Sequence, residues 1–96
     1  MLYIGVDLGT SAVKLLLMDG SGRIHKVVSR EYPLYFPHPA WSEQNPEDWF
    51  TASMDGMKEL TSECDKSQVA GISFGGQMHG LVTLDEADEV IRPAIL

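Results

Sequence analysis

Short apolar runs separated by glycine-rich turns open the chain. Leu2 to Val6 is apolar and β-prone and stops at Asp7 before Gly9, and Ala12 to Met18 is a second such run. Between them, Leu8-Gly9-Thr10-Ser11 is too short for a crossover helix, so the pattern predicts an antiparallel pair. Asp19-Gly20-Ser21-Gly22 is a further turn signal and leads to a third strand over Ile24 to Glu31. Three hairpin-linked strands are therefore expected first.

The pattern then changes. Pro33, Pro37 and Pro39 remove backbone donors between Tyr32 and Trp41, which predicts a loop. A helix start follows, with Asn45 as cap, Pro46 at the first helical position and Glu47 and Asp48 at the positive end of the dipole. Phe50, Met54, Met57, Leu60 and Cys64 recur at helical spacing, so an apolar stripe through Cys64 is expected. Gly56 within it implies close packing, since glycine costs about 1 kcal/mol there relative to alanine. Val69 to Phe74 is the expected returning strand, ended by Gly75-Gly76. Beyond the loop Gln77-Met78-His79-Gly80, Leu81 to Leu84 and Glu89 to Ile91 flank the acidic turn Asp85 to Asp88 as a short hairpin.

Charge narrows the partners. The formal charge is −7, yet residues 1–30 carry four basic and two acidic groups while the remainder carries three basic and twelve acidic. An acidic surface repels phosphate backbones, which argues against nucleic acid, whereas a small anion near the N-terminal third fits. Cys64 is the only cysteine, so no disulfide closes within the chain. No apolar run approaches membrane length; a cytoplasmic protein with no membrane partner is the expectation.

Two segments carry candidate chemistry. Asp7-Leu8-Gly9-Thr10-Ser11 puts a carboxylate at a strand end and small residues in a tight turn whose N–H groups can face phosphate oxygens. Asp7 is the candidate Mg²⁺ residue, acting through water, and Lys14 adds a positive charge. An Asp-x-Gly turn is also common as a plain hairpin, and these residues alone leave both readings open. Gln77-Met78-His79 sets polar tips beside a thioether, which suits a sugar with hydroxyls and a carbon face; a solvent-facing turn is the competing reading. His25 and His38 lack ligand spacing to one another or to Cys64. Trp41 and Trp49 read as packing residues, and Cys64 as an inert thiol.

Taken in order, Asp7-Leu8-Gly9-Thr10-Ser11 with Lys14, Trp41-Ser42-Glu43-Gln44-Asn45-Pro46, and Gly75-Gly76-Gln77-Met78-His79-Gly80 resemble the FGGY family of carbohydrate kinases, most closely its xylulose-phosphorylating branch. The resemblance implies an α/β fold of the actin-like, ribonuclease H-like kind, in two domains with ATP and sugar meeting between them. Residues 1–96 would be the N-terminal portion of the first domain, and the apolar ending Pro93 to Leu96 reads as a cut. By the same resemblance Asp7 is the metal-linked acid, Gly9, Thr10 and Ser11 approach the ATP phosphates, and Lys14 fills an often basic position. Met78 and His79, beside Gln77, match the pair that contacts the sugar, implying MgATP and D-xylulose as small-molecule partners. The family's catalytic base, an aspartate, would lie beyond residue 96; neither Asp85 nor Asp88 matches it. The Trp41 to Pro46 segment marks the family without an assigned role. A kinase for ribulose, gluconate or glycerol, and a non-sugar actin-like ATPase, stand as alternatives. The 96-residue chain alone is expected to be inactive and to self-associate through exposed sheet edges.

Overall fold

The structure, a computed structural model, describes residues 1–96. The three opening strands form as β1 (Leu2–Leu8), β2 (Ala12–Asp19) and β3 (Ile24–Glu31), an antiparallel meander joined by tight turns. Side chains alternate across a strand and partners in register share a face. Ile4 opposite Leu17, Val6 opposite Leu15, and Leu15 opposite Val28 therefore build one dry face, and all five are buried. Asp7 opposite Lys14 falls on the other face, where both are exposed.

Helix α1 (Pro46–Leu60) covers the dry face across β2 and β3. Its start follows the expected chemistry: the Asn45 side chain accepts from the Glu47 N–H at 3.1 Å, with Pro46 in the first turn. Gly56 is buried, and a Cβ on it would stand 2.6 Å from Leu15 Cδ1, so the close approach inferred from sequence is present.

The helix differs from expectation at its end and on its face. It stops at Leu60: the Thr61 hydroxyl donates to the Met57 carbonyl at 2.9 Å, the Ser62 N–H falls back to the Glu59 carbonyl at 3.3 Å, three residues behind, and the chain turns. Cys64 thus lies past the helix, half-buried at the edge of the core. Leu60 is fully buried, but Phe50 and Met54 are 63% and 44% exposed. They border a groove of about 660 Å³ whose other wall is Ile72 and Phe74 of β5 (Val69–Gly76).

β5 returns parallel to β1 and takes the edge, giving the order β3-β2-β1-β5. Both β1 and β5 run two residues beyond their expected ends, to Leu8 and Gly76, which are paired. The loops that follow them consequently leave from the same end of the sheet, outside the carboxyl ends of parallel strands, where open α/β sheets bind ligands. Three antiparallel strands, a helix and a parallel returning strand thus follow one another in the order expected from the sequence.

Two short strands have no signature in the hydrophobic pattern. β4 (Glu43–Gln44) pairs antiparallel with β6 (Ala94–Ile95), and Tyr35 and Leu81 extend this patch by single bridges. The Arg92 guanidinium pairs with the Glu43 carboxylate beside it. The expected hairpin over Leu81 to Ile91 forms only as one bridge, Leu84 to Val90, because Leu81 is drawn away to Ile95. Asp85 closes its turn by accepting the Ala87 and Glu89 N–H groups at 2.8 and 3.0 Å, a structural task.

Candidate active site

The turn from β1 to β2 is held by donors from two other parts of the chain, Tyr32 and Gln44. Gly9 N–H donates to the Ala12 carbonyl at 2.9 Å and closes the turn. A Cβ at Gly9 would lie 2.9 Å from that same carbonyl oxygen, so the position requires glycine. The Gly9 carbonyl accepts the Tyr32 hydroxyl, the Thr10 carbonyl accepts Gln44 Nε2, and the Ser11 carbonyl accepts the Tyr32 N–H at 3.1 Å. All three carbonyls of the turn are thereby held on the protein side.

The amides behave oppositely. Neither the Thr10 nor the Ser11 N–H donates to any group of the chain. Asp7 is exposed directly before this turn, opposite Lys14 in the ladder, and its carboxylate forms neither a hydrogen bond nor an ion pair. Asp7 and Lys14 share a shallow concavity with Gly5, Ser73 and Gly75 on the face away from α1. One uncommitted carboxylate beside free amides fits Mg²⁺, which at phosphate sites takes one or two carboxylates and retains water. No group of three or more His, Cys, Asp or Glu forms an all-protein metal cage.

The second candidate segment reaches the same place by one residue. Gln77 N–H continues the sheet by donating to the Leu8 carbonyl at 2.9 Å. Its side chain then bridges: Oε1 accepts the Thr10 hydroxyl at 3.2 Å, and Nε2 donates to Gln44 Oε1 at 3.3 Å. Thr10 and Gln77 are thus joined directly, with Asp7 and Lys14 sharing the concavity on the sheet face away from α1. Met78 and His79 extend beyond them into solvent, Met78 being 79% exposed, and neither side chain is tied to the turn. His79 adopts φ +68°, a left-handed conformation that is uncommon outside glycine and clusters at ligand-handling loops.

Tyr32 and Gln44 were not singled out by residue type or spacing, yet they hold the site. Gln44 is fully buried and satisfied on both ends: Nε2 donates to the Thr10 and Pro33 carbonyls, and Oε1 accepts from Trp49 Nε1 at 3.0 Å and from Gln77. Burial, and then the Asp7 carboxylate, raise the Tyr32 phenol above its ordinary value, so it stays a donor throughout the neutral range. The sequence signal for Gln44 was the family-like Trp41 to Pro46 segment itself; for Tyr32 there was none. Trp49 packs against the core as expected, whereas Trp41 is half exposed and meets His38 edge-on at 4.7 Å. No helix is long and apolar enough to cross a membrane.

Comparison with known proteins gives a consistent result. The chain is 47% identical over 95 residues to a xylulose kinase of Staphylococcus epidermidis, covering 97% of this chain and 19% of that protein. A Bacillus subtilis gluconokinase is 34% identical over 92 residues, covering 96% of this chain and 18% of the relative. The crystal structure of a xylulose kinase from Rhodospirillum rubrum superposes with a TM-score of 0.93 at 31% identity, over 99% of this chain and 20% of that one. The chain thus spans about a fifth of the length of the relatives it matches. Residues 2–96 match the FGGY family of carbohydrate kinases, N-terminal domain, and the chain belongs to that family.

Proposed function

We propose that these residues serve a kinase that transfers the γ-phosphoryl of MgATP to D-xylulose, giving D-xylulose 5-phosphate, and that this segment supplies its first phosphate loop and part of its sugar site. The observation that carries the reading is the convergence of Thr10 and Gln77 at the carboxyl ends of β1 and β5, in a chain whose relatives include xylulose kinases. The Thr10 and Ser11 amides, with Gly9 shaping the turn, receive phosphate oxygens, and Lys14 adds positive charge near them. Asp7 holds Mg²⁺ through water; the metal, when bound, offsets charge on the transferring phosphoryl. Gln77, Met78 and His79 orient the sugar, His79 as a hydrogen-bond partner of a hydroxyl. The proton of the reacting terminal hydroxyl goes to a carboxylate base, which the family resemblance implies is an aspartate other than those of residues 1–96. The cytoplasm is the setting we assign, in keeping with a single unpaired thiol.

The gluconokinase relative favours a second reading, in which the same machinery phosphorylates gluconate or another polyol. Sugar-dependent ADP release by the full-length protein, assayed with D-xylulose, D-ribulose, gluconate and glycerol in parallel, decides between them. The highest kcat/KM is expected with D-xylulose. A preference for gluconate would replace the substrate assignment, and ATP hydrolysis indifferent to every sugar would overturn the kinase reading.

A further inference from the structure

A trans peptide sets its N–H opposite its C=O, so whatever fixes a carbonyl also aims the following residue's amide. No peptide bond in this chain is cis. The Tyr32 hydroxyl fixes the Gly9 carbonyl, and Gln44 Nε2 fixes the Thr10 carbonyl. The amides anchored by those two peptide planes belong to Thr10 and Ser11, the pair left without an acceptor. From this geometry we infer that Tyr32 and Gln44 are positioning residues of the phosphate loop: they hold two successive peptide planes with their N–H groups turned outward to meet phosphate oxygens. The inference rests on the kinase reading for its ligand, and it gives the Trp41 to Pro46 segment a task. Gln44 comes from that segment, and its burial with every polar atom satisfied makes it a stiff support.

The two supports differ in reach. The hydrogen bonds of Tyr32, from its hydroxyl and its N–H, go to the turn alone, while its ring packs in the core. Gln44 also carries Gln77, and through it the sugar-side loop. Loss of the Tyr32 hydroxyl therefore acts on the nucleotide side only, whereas loss of the Gln44 amide acts on both sides.

The test uses the full-length kinase containing these residues, as wild type, Tyr32→Phe and Gln44→Met, with calorimetric titration of two probes separately. The probes are D-xylulose and a non-hydrolysable ATP analogue with Mg²⁺. Tyr32→Phe should weaken analogue binding about 3- to 10-fold, the loss of one net hydrogen bond, with xylulose affinity unchanged within twofold. Gln44→Met should weaken both. A purely structural role would instead lower the melting temperature and both affinities together in Tyr32→Phe, and that result, or an unchanged analogue affinity, overturns the inference. If Gln44→Met fails to fold, Tyr32→Phe decides alone. Wild type that binds the analogue but not xylulose sinks the sugar assignment while the Tyr32→Phe comparison still stands; wild type that binds neither overturns both.

Discussion

Asp7 and His79 have separate structural neighbourhoods, and their substitution should fail in separate ways. Asp7 stands beside the free amides, so Asp7→Asn in the full-length enzyme should reduce mainly kcat, with every sugar. His79 lies past Gln77 on the other loop, and under the proposed sugar contact His79→Ala should leave a hydroxyl unpaired at about 1–3 kcal/mol. At 1.4 kcal/mol per factor of ten, kcat/KM for xylulose should fall roughly 5- to 150-fold with KM for ATP little changed. Steady-state kinetics with each substrate varied checks both; a weakened ATP with intact xylulose kinetics would move His79 to the nucleotide side. Asp19 offers a second residue-scale prediction, concerning pH. Hydrogen bonds from the Ser21 hydroxyl, then from His25, hold its carboxyl well below the usual carboxylate range. A depressed folded-state value means that the turn's contribution is complete above the unfolded value of 3.8 and is lost as pH falls through the lower folded value. An NMR titration should place the Asp19 midpoint below 3.8, and Ser21→Ala should raise it; an ordinary midpoint in the wild type would remove the argument.

At the scale of elements, α1 shows two opposing effects at one position. Gly56→Ala should gain about 1 kcal/mol of helix propensity. The added Cβ meets Leu15 Cδ1 at 2.6 Å, however, and Leu15 is fully buried between helix and sheet, with overpacking of this kind costing about 1–3 kcal/mol. Packing should win, and thermal unfolding of the full-length protein should move to lower temperature; an upward shift would mean that α1 lifts from β2 without loss. The same element explains the difference between the expected and observed stripe. Phe50 and Met54 keep helical spacing with Met57 and Leu60, but α1 packs mainly over β2 and β3, and a groove separates it from β5. Spacing predicts which residues share a face, and the width of the sheet beneath determines how much of that face is covered.

For the whole molecule, the exposed side of β5 has both an unpaired edge and an apolar wall. Phe74 is 73% exposed and faces Phe50 across the groove, while the outer N–H and C=O groups of β5 have no neighbouring strand. Edges of this kind pair between chains, and apolar patches reinforce the association. The 96-residue chain alone should therefore show a weight-average mass that rises with concentration in sedimentation, and Ile72→Lys with Phe74→Lys should suppress the rise. A monomer at all concentrations would count against it. That chain should also consume no ATP in response to xylulose: Asp85, the acidic side chain nearest in sequence to the Gln77 to His79 loop, is occupied in closing its own turn.

Local chemistry was legible in the sequence wherever the cause was local. Strand alternation, turn glycines, the Asn45-Pro46 helix start and the tight Gly56 position follow from side-chain period, φ preference and capping, and all appear in the structure. The Asp7 to Ser11 turn and the Gln77 to His79 loop were legible as candidates for the same reason. Tertiary structure alone decided what joins them. Tyr32 lies 23 residues and Gln44 34 residues from the carbonyls they hold, and β4 meets β6 some fifty residues away, so no local pattern records these contacts. Gln44 reads in sequence as one more polar residue after a proline-rich loop. Only folding buries it where its amide must find partners, and the partners available there are the two loops that carry the candidate chemistry.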